Sequence, residues 1–157
     1  YYYQMNIIIE VENFKDECLF YNSPVKNTVM DDSNFIRILY SNKLFTLNGI
    51  FIKIKFNITS IEKYFNKFKC SFNIQENKTL IDKLSMIEDK ILENCSLKNK
   101  NARKKISEQL LSGNIKLFTD SPISSNSNSY LLKISGIWET DTEYGITYKF
   151  VNTLNHR

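Results

Sequence analysis

The chain has 157 residues, of which 42% are apolar, and this is enough to build the core of one folded domain. Its net charge of +4 at pH 7 favours a polyanionic partner. The three cysteines are odd in number and widely spaced, which excludes a disulfide framework and a zinc spacing and favours a reducing, cytoplasmic compartment. No apolar run approaches the length of a membrane span, so we expect no membrane partner.

The first third of the chain is dominated by strand signals. β-branched residues predict a strand over residues 4–11, and a shorter strand is predicted over residues 18–21. The strongest signal covers residues 35–57, where a turn at residues 41–43 separates two runs. Within the second run, an Asn-Gly pair at residues 48–49 indicates a bulge or a sharp bend.

The middle of the chain carries helical signals. Residues 59–65 are compatible with a short helix, and a strand follows over residues 67–74. Apolar residues at a spacing of three to four predict a long helix over residues 79–96. A second helix is predicted over residues 102–112, with Gly113 ending it.

The last part of the chain returns to strand signals. A strand is predicted over residues 115–119, a loop over residues 120–129 and a hairpin over residues 130–150. Strands therefore precede and follow a helical insert at about residues 79–112, which is the order of a mainly β domain. We predict a single domain over residues 1–157 with an OB-like, five-stranded β-barrel and one or two helices between strands.

The strand over residues 50–57 suggests what the surface could bind. Its alternation places the isoleucines on one face, and it places Phe51, Lys53 and Lys55 on the other. The next strand adds Lys67 and Lys69 on its polar face. Single-stranded nucleic acid requires cations for its phosphates and flat rings for its unpaired bases. The alternative is a solvated strand face with one stray or covered Phe.

The C-terminal hairpin repeats this combination. By alternation, Trp138 shares a face with Tyr130, Leu132 and Ile134. Lys133 and Lys149 are expected to be cross-strand neighbours, which is unfavourable unless an anion lies between them. Trp138 and Tyr148 are candidates for base stacking, and the alternative places both rings in the core.

A basic run opens the second predicted helix. Positive charge is unfavourable at a helix N-terminus, so these residues are candidates for holding an anion. The alternative is a solvated loop with a weak helix start. The candidates within the run are Lys98, Lys100, Arg103 and Lys104.

Enzymatic signals are weak by comparison. The only histidine, His156, lies next to the C-terminus, and no nucleophilic triad, P-loop or dinucleotide motif is present. We therefore expect no catalytic residues and no cofactor. Glu139, Asp141 and Glu143 in the hairpin turn leave a metal-dependent nuclease as an alternative, although they match no calcium loop and more simply solubilise the turn.

One segment resembles a known family. The sequences Leu132-Lys-Ile-Ser-Gly-Ile-Trp-Glu139 and Tyr144-Gly-Ile-Thr-Tyr-Lys-Phe150 resemble a segment of the OB-fold single-stranded DNA-binding proteins of large cytoplasmic DNA viruses and yeast killer linear plasmids. The resemblance implies a replication accessory protein that coats exposed single strands in the host cytoplasm. It also implies contacts by Lys133, Trp138, Tyr148 and Lys149. Such proteins often end in an acidic tail that recruits replication partners, and the end of this sequence departs from that pattern.

Together these observations predict a non-enzymatic, sequence-tolerant single-stranded DNA-binding protein. RNA is an alternative ligand, self-association is compatible with this role, and a viral interaction module that uses its aromatic face as a protein interface is the alternative function. The predicted nucleic-acid-binding residues are Phe51, Lys53, Lys55, Lys67, Lys69, Lys98, Lys100, Arg103, Lys104, Lys133, Trp138, Tyr148 and Lys149.

Overall fold

The structure is a computed structural model that describes residues 7–118 and 129–152. Within these ranges the chain forms twelve β-strands and two α-helices, which confirms the prediction of a mainly β fold. The helices are α1 (Lys78–Cys95) and α2 (Lys105–Leu111). The strands are β1 (Ile8–Glu10), β2 (Leu19–Tyr21), β3 (Val25–Lys26), β4 (Asn34–Ser41), β5 (Thr46–Asn48), β6 (Ile50–Lys55), β7 (Ile58–Tyr64), β8 (Lys67–Phe72), β9 (Asn101–Arg103), β10 (Asn114–Phe118), β11 (Ser129–Glu139) and β12 (Glu143–Asn152).

The strands of the described residues join in one sheet with β11 near its centre. The main path runs β1-β6-β11-β12-β10-β8-β7, and β4 joins it through the second half of β11. The first half of β11 pairs with β6. The sheet has twelve strands and is not closed into a barrel, so the mainly β class is confirmed while the expected OB-like, five-stranded barrel is not seen.

Both helices contribute to the main hydrophobic core, and the face of the sheet that lines this core is called the inner face. The main hydrophobic cluster joins Leu84 and Ile91 of α1 and Leu110 of α2 to side chains from the strands. In β6 the alternation is as predicted, because Ile50, Ile52 and Ile54 are buried on the inner face. The opposite face, which we call the outer face, carries the alternate members of each strand, among them a small cluster of Phe51, Leu131 and Val151.

Sequence periodicity was wrong for one element and imprecise for another. Residues 59–65 do not form a helix, because β7 forms a hairpin with β8 over this segment. The second helix begins at Lys105 rather than at residue 102, since Asn101–Arg103 form β9 and pair with β12. The predicted loop at residues 120–129 lies largely outside the described residues, and Ser129 belongs to β11.

Two glycines end elements where the sequence predicted. Gly49 separates β5 from β6 with φ of +92°, and its N–H donates to the carbonyl of Ile38 at 3.0 Å. Gly113 follows α2 with φ of +83°. These conformations favour glycine, since a side chain is strained there. Neither helix of the described residues has the length and apolar character needed to cross a membrane.

Candidate nucleic-acid interface

A bulge in β11 decides which face of the sheet carries the only tryptophan. The register with β12 shifts between Ile134 and Gly136, so Ser135 is an extra residue in the strand. After the bulge Ile137 is buried in the main core, and Trp138 faces outward. The predicted alternation had placed Trp138 with Tyr130 and Ile134, and this was wrong because the bulge reverses the alternation.

Two glycines make room for flat rings on the outer face. Trp138 is paired with Gly145 of β12, and a Cβ atom on Gly145 would lie 2.7 Å from the indole. Phe35 of β4 lies in the same way over Gly136, where a Cβ atom would lie 2.6 Å from the phenyl ring. Both rings therefore lie close to the backbone of the sheet. Trp138 remains half-buried, so part of the indole is open to solvent.

Lys133 and Lys149 are direct cross-strand neighbours, as predicted. Partial burial lowers the pKa of Lys133, and the nearby charges of Lys149 and Arg37 lower it further. The Lys133 ammonium lies 5.6 Å from the centre of the Phe51 ring. Three cations thus share a small area of the outer face, and a bound anion would relieve their repulsion.

Two adjoining clefts form a continuous groove beside these cations, which we call the basic groove. The clefts have volumes of about 850 and 890 Å³ and share Lys105, Gln109, Lys116 and Tyr148. The first contains Phe35, Arg37, Trp138 and Lys149, and the second leads to the hairpin between β7 and β8. The cationic lining residues are Lys26, Arg37, Lys67, Lys69, Lys105, Lys116 and Lys149.

The charge of this lining is strongly one-sided. Among the residues that the structure describes, its seven cations are accompanied by one carboxylate, that of Glu108. The whole chain has a net charge of only +4, so the remainder of the chain carries no excess of positive charge. Concentration of cations in a concave site raises the local potential and attracts polyanions.

The far part of the groove is built by β8 and β10. Lys116 is paired with Lys69, and Phe118 is paired with Lys67. The Lys67 ammonium lies 4.7 Å from the centre of the Phe118 ring, which is a cation–π contact. Phe118 is 48% exposed. Rings and ammonium groups therefore alternate here as they do around Trp138.

Tyr148 lines both clefts but is anchored to α2. Its hydroxyl donates to Gln109 Oε1 at 2.7 Å, and it lies 3.3 Å from the carbonyl oxygen of Lys105. Burial, with smaller contributions from Glu88 and Glu108, raises the pKa of Tyr148 to about 12. The ring is therefore a fixed wall of the groove.

The predicted residues on β6 lie on the outer face but outside the basic groove. Phe51 is only 9% exposed because it packs against Leu131 and Val151, so its ring is largely unavailable for stacking. Lys53 is paired with Glu10 of β1, and both Lys53 and Lys55 line a separate cleft. These residues add positive charge near the groove without forming its wall.

Most residues of the basic run lie outside the basic groove, and three of them pair with carboxylates. Lys100 binds Glu139 at 2.8 Å, and Arg103 binds Glu143 at 2.9 Å. Lys104 contacts Asp89 at 2.7 Å, and this hydrogen bond and charge raise its pKa. Lys98 is exposed in the turn that precedes β9.

The anion at the start of α2 is a side chain of the protein itself. Glu88 of α1 is fully buried and accepts hydrogen bonds from the N–H groups of Ile106 and Ser107 at 2.8 and 2.9 Å. It also accepts one from the Ser107 hydroxyl at 2.6 Å. Glu88 therefore occupies the place of an anion at the backbone N–H groups of this helix start, and the prediction that the basic run contacts an external anion stays a prediction.

The turn carboxylates serve ion pairs in the structure. Glu139 is 7% exposed and accepts hydrogen bonds from Lys100 and from the Asn34 side chain, while Glu143 is bound by Arg103. Asp141 is exposed. In the described ranges, no three His, Cys, Asp or Glu side chains are arranged to hold a metal ion.

Sequence reasoning missed about half of the groove. Lys116 and Phe118 could have been found, since they alternate with the buried Ile115 and Leu117. Phe35 and Arg37 alternate in the same way with the buried Ile36 and Ile38, and Lys105 ends the basic run. No local pattern shows that strand pairing and the position of α2 bring these residues to one groove.

Comparisons with known proteins add no assignment. No protein-family model matches the sequence, and no curated protein or solved structure matches it. The resemblance to viral and plasmid single-stranded DNA-binding proteins stays a prediction.

Proposed function

We propose that this protein binds single-stranded DNA, with little sequence preference, along the basic groove. The observation that carries the proposal is the combination, among the described lining residues, of seven cations and one carboxylate with Trp138, Phe118 and Phe35 in one continuous depression. Cations neutralise backbone phosphates, and rings stack on unpaired bases of any identity. Double-stranded DNA hides its base faces in the stack and cannot use the rings in this way.

The dimensions of the groove set the expected length of the bound strand. From Trp138 on β11 the groove crosses β12, β10 and β8 to the tip of β7, which is four strand spacings or about 19 Å. At about 3.4 Å per stacked nucleotide, this length accommodates roughly six nucleotides.

The cluster of Lys133, Lys149 and Arg37 is the strongest candidate for a phosphate contact. The lowered pKa of Lys133 reports unfavourable burial and like charge in the unbound protein. A phosphate placed between Lys133 and Lys149 replaces repulsion with two attractive contacts, so part of the binding energy comes from relief of this repulsion. Trp138 lies five residues further along β11, on the same face, to stack on a base of the same strand.

The proposed cellular role rests on the resemblance of the C-terminal hairpin to viral and plasmid single-stranded DNA-binding proteins. It supports a non-enzymatic accessory protein that covers single strands exposed during replication of a viral or plasmid DNA in the host cytoplasm. RNA is the alternative ligand, because the groove features that we describe recognise phosphates and base faces rather than the sugar.

Fluorescence anisotropy with a labelled twelve-residue oligo-dT tests the proposal. We expect tight binding at low salt, affinity that rises with oligonucleotide length up to about six residues, and quenching of Trp138 fluorescence. Lys116→Gln combined with Lys149→Gln removes two groove cations and should abolish most of the affinity. Lys43→Gln combined with Lys90→Gln removes two exposed cations outside the groove and should leave the affinity nearly unchanged.

Absence of binding at low ionic strength would refute the proposal, as would equal losses in the two double variants. Competition with duplex DNA and with oligo-rU in the same assay separates single-strand binding from general attraction to polyanions and determines the preference for DNA or RNA.

A protein interface is the second candidate, because exposed apolar residues adjoin the same groove. Val29 is 94% exposed and Val25 is 59% exposed, and both line the cleft that contains Trp138. Unchanged Trp138 fluorescence with saturating oligo-dT, together with self-association in solution, would favour this function.

A further inference from the structure

The turn between β7 and β8 carries an aromatic residue in an unusual conformation. Tyr64 pairs with Lys67, so Phe65 and Asn66 form a two-residue turn. Phe65 has φ of +46°, in the left-handed region, and its side chain is 97% exposed. A bulky residue is rare at such a position, where glycine and asparagine are favoured.

The fold gains little from this residue. A side chain that is 97% exposed buries almost no apolar surface, and its backbone conformation is strained. Asparagine or glycine would form the same turn with less strain. An exposed ring at a strained position, where it adds nothing to the packing of the chain, points to a use outside the fold.

The position of Phe65 indicates what that use is. The residue lines the second cleft of the basic groove, together with Lys67, Lys69 and Lys116. The neighbouring Tyr64 is also 48% exposed. The tip of the hairpin therefore places two rings where a polyanion lying in the groove would enter or leave it.

We propose that Phe65 is a base-stacking residue at the end of the basic groove, where it holds the last bound nucleotide of a single strand. This inference rests on the proposed function and deepens it by adding a terminal contact opposite Trp138. A ring on a projecting turn can stack on a base without a surrounding pocket, and every base has a face to offer it. The strand would then be held by rings at both ends and by cations between them.

Phe65→Asn provides a test in which stability and binding change in opposite directions. The variant relieves the strained turn, so its midpoint of thermal unfolding should rise by roughly 2 °C. Its affinity for twelve-residue oligo-dT should fall about tenfold, since one stacking contact is lost. Leu44→Asn, which changes an 89% exposed residue in another turn, is the matched control and should leave the affinity unchanged.

A second variant reports the contact directly. Phe65→Trp in a Trp138→Phe background places the only indole of the chain at the tip. We expect near-normal affinity relative to Trp138→Phe alone and quenching of the new indole by oligo-dT.

The outcomes distinguish this inference from the proposed function. If the unaltered protein does not bind oligo-dT, both are overturned. If it binds and Phe65→Asn binds equally well, or the indole at the tip is not quenched, only the terminal stacking contact is refuted. A loss of binding to phosphatidylserine vesicles by Phe65→Asn, with unchanged oligo-dT affinity, would also refute it and assign the tip to membranes.

Discussion

Replacement of Lys149 by glutamine should stabilise the fold and weaken single-strand binding. Lys149 lies directly across from Lys133, and Arg37 adds a third positive charge to the same area. In the unbound protein the substitution removes a like-charge neighbour of Lys133. In the complex the same substitution removes a phosphate contact, so the two effects have opposite signs.

The magnitudes follow from the sheet register and the groove lining. Like charges on directly opposite strand positions cost about 0.2–1 kcal/mol, so the free energy of unfolding should rise by about 0.5 kcal/mol at low salt. This gain should nearly disappear at 1 M salt, where charges are screened within about 3 Å. An exposed ion pair contributes up to about 1 kcal/mol, so Lys149→Gln should lower the oligo-dT affinity about fivefold at 50 mM salt.

Salt dependence gives an independent measure of the same contact. If six phosphates are neutralised, log affinity should fall with log salt at a slope of about −4, which is roughly a 300-fold loss between 50 and 200 mM. Lys149→Gln should reduce the slope by about 0.7, so its defect should shrink to about twofold at 200 mM. The measurements are urea unfolding and fluorescence anisotropy at several salt concentrations, with Lys43→Gln as the exposed control. Lower stability with an unchanged salt slope would refute the reasoning.

Four further substitutions test other parts of the structure. A bound phosphate should raise the lowered pKa of Lys133, so oligo-dT affinity should fall as pH rises through the alkaline range below 10.5. Lys133→Arg keeps its charge over this range and should lose the pH dependence. Isothermal titration at several pH values measures both. Glu88→Ala leaves buried donors at the start of α2 without an acceptor and should cost about 3 kcal/mol in urea unfolding, whereas Ser107→Ala should cost about 1 kcal/mol. Gly145→Ala should displace the Trp138 indole, shift its fluorescence and weaken oligo-dT binding about tenfold, and an unchanged emission spectrum would contradict the contact.

Local sequence patterns predicted correctly the elements in which the apolar positions of the sequence are the buried positions of the structure. Ile50, Ile52 and Ile54 alternate in the sequence because one face of β6 is buried in the main hydrophobic core. The pattern failed in β7, where Ile58, Ile61 and Tyr64 recur every three residues as in a helix. This strand contributes little to the core, so burial does not impose a two-residue alternation on it.

The candidate site was harder to predict than the fold, because its composition depends on contacts between distant residues. The pairing of Lys133 with Lys149 could be predicted, since both lie in one hairpin. The neutralisation of Lys100 by Glu139 could not be, because the two residues are 39 positions apart. The groove also requires β10 and α2 to lie beside β12, and no local pattern specifies that arrangement.

The extra residue at Ser135 gives the central strand two successive side-chain phases. Before Ser135 the even-numbered side chains of β11 point into the main core, and after it the odd-numbered side chains do. Deletion of one residue there would turn the indole inward and place Ile137 on the solvent side, even if every other position were unchanged. The length of this short segment, more than the presence of a tryptophan, therefore determines whether such a chain can present an aromatic surface to a ligand.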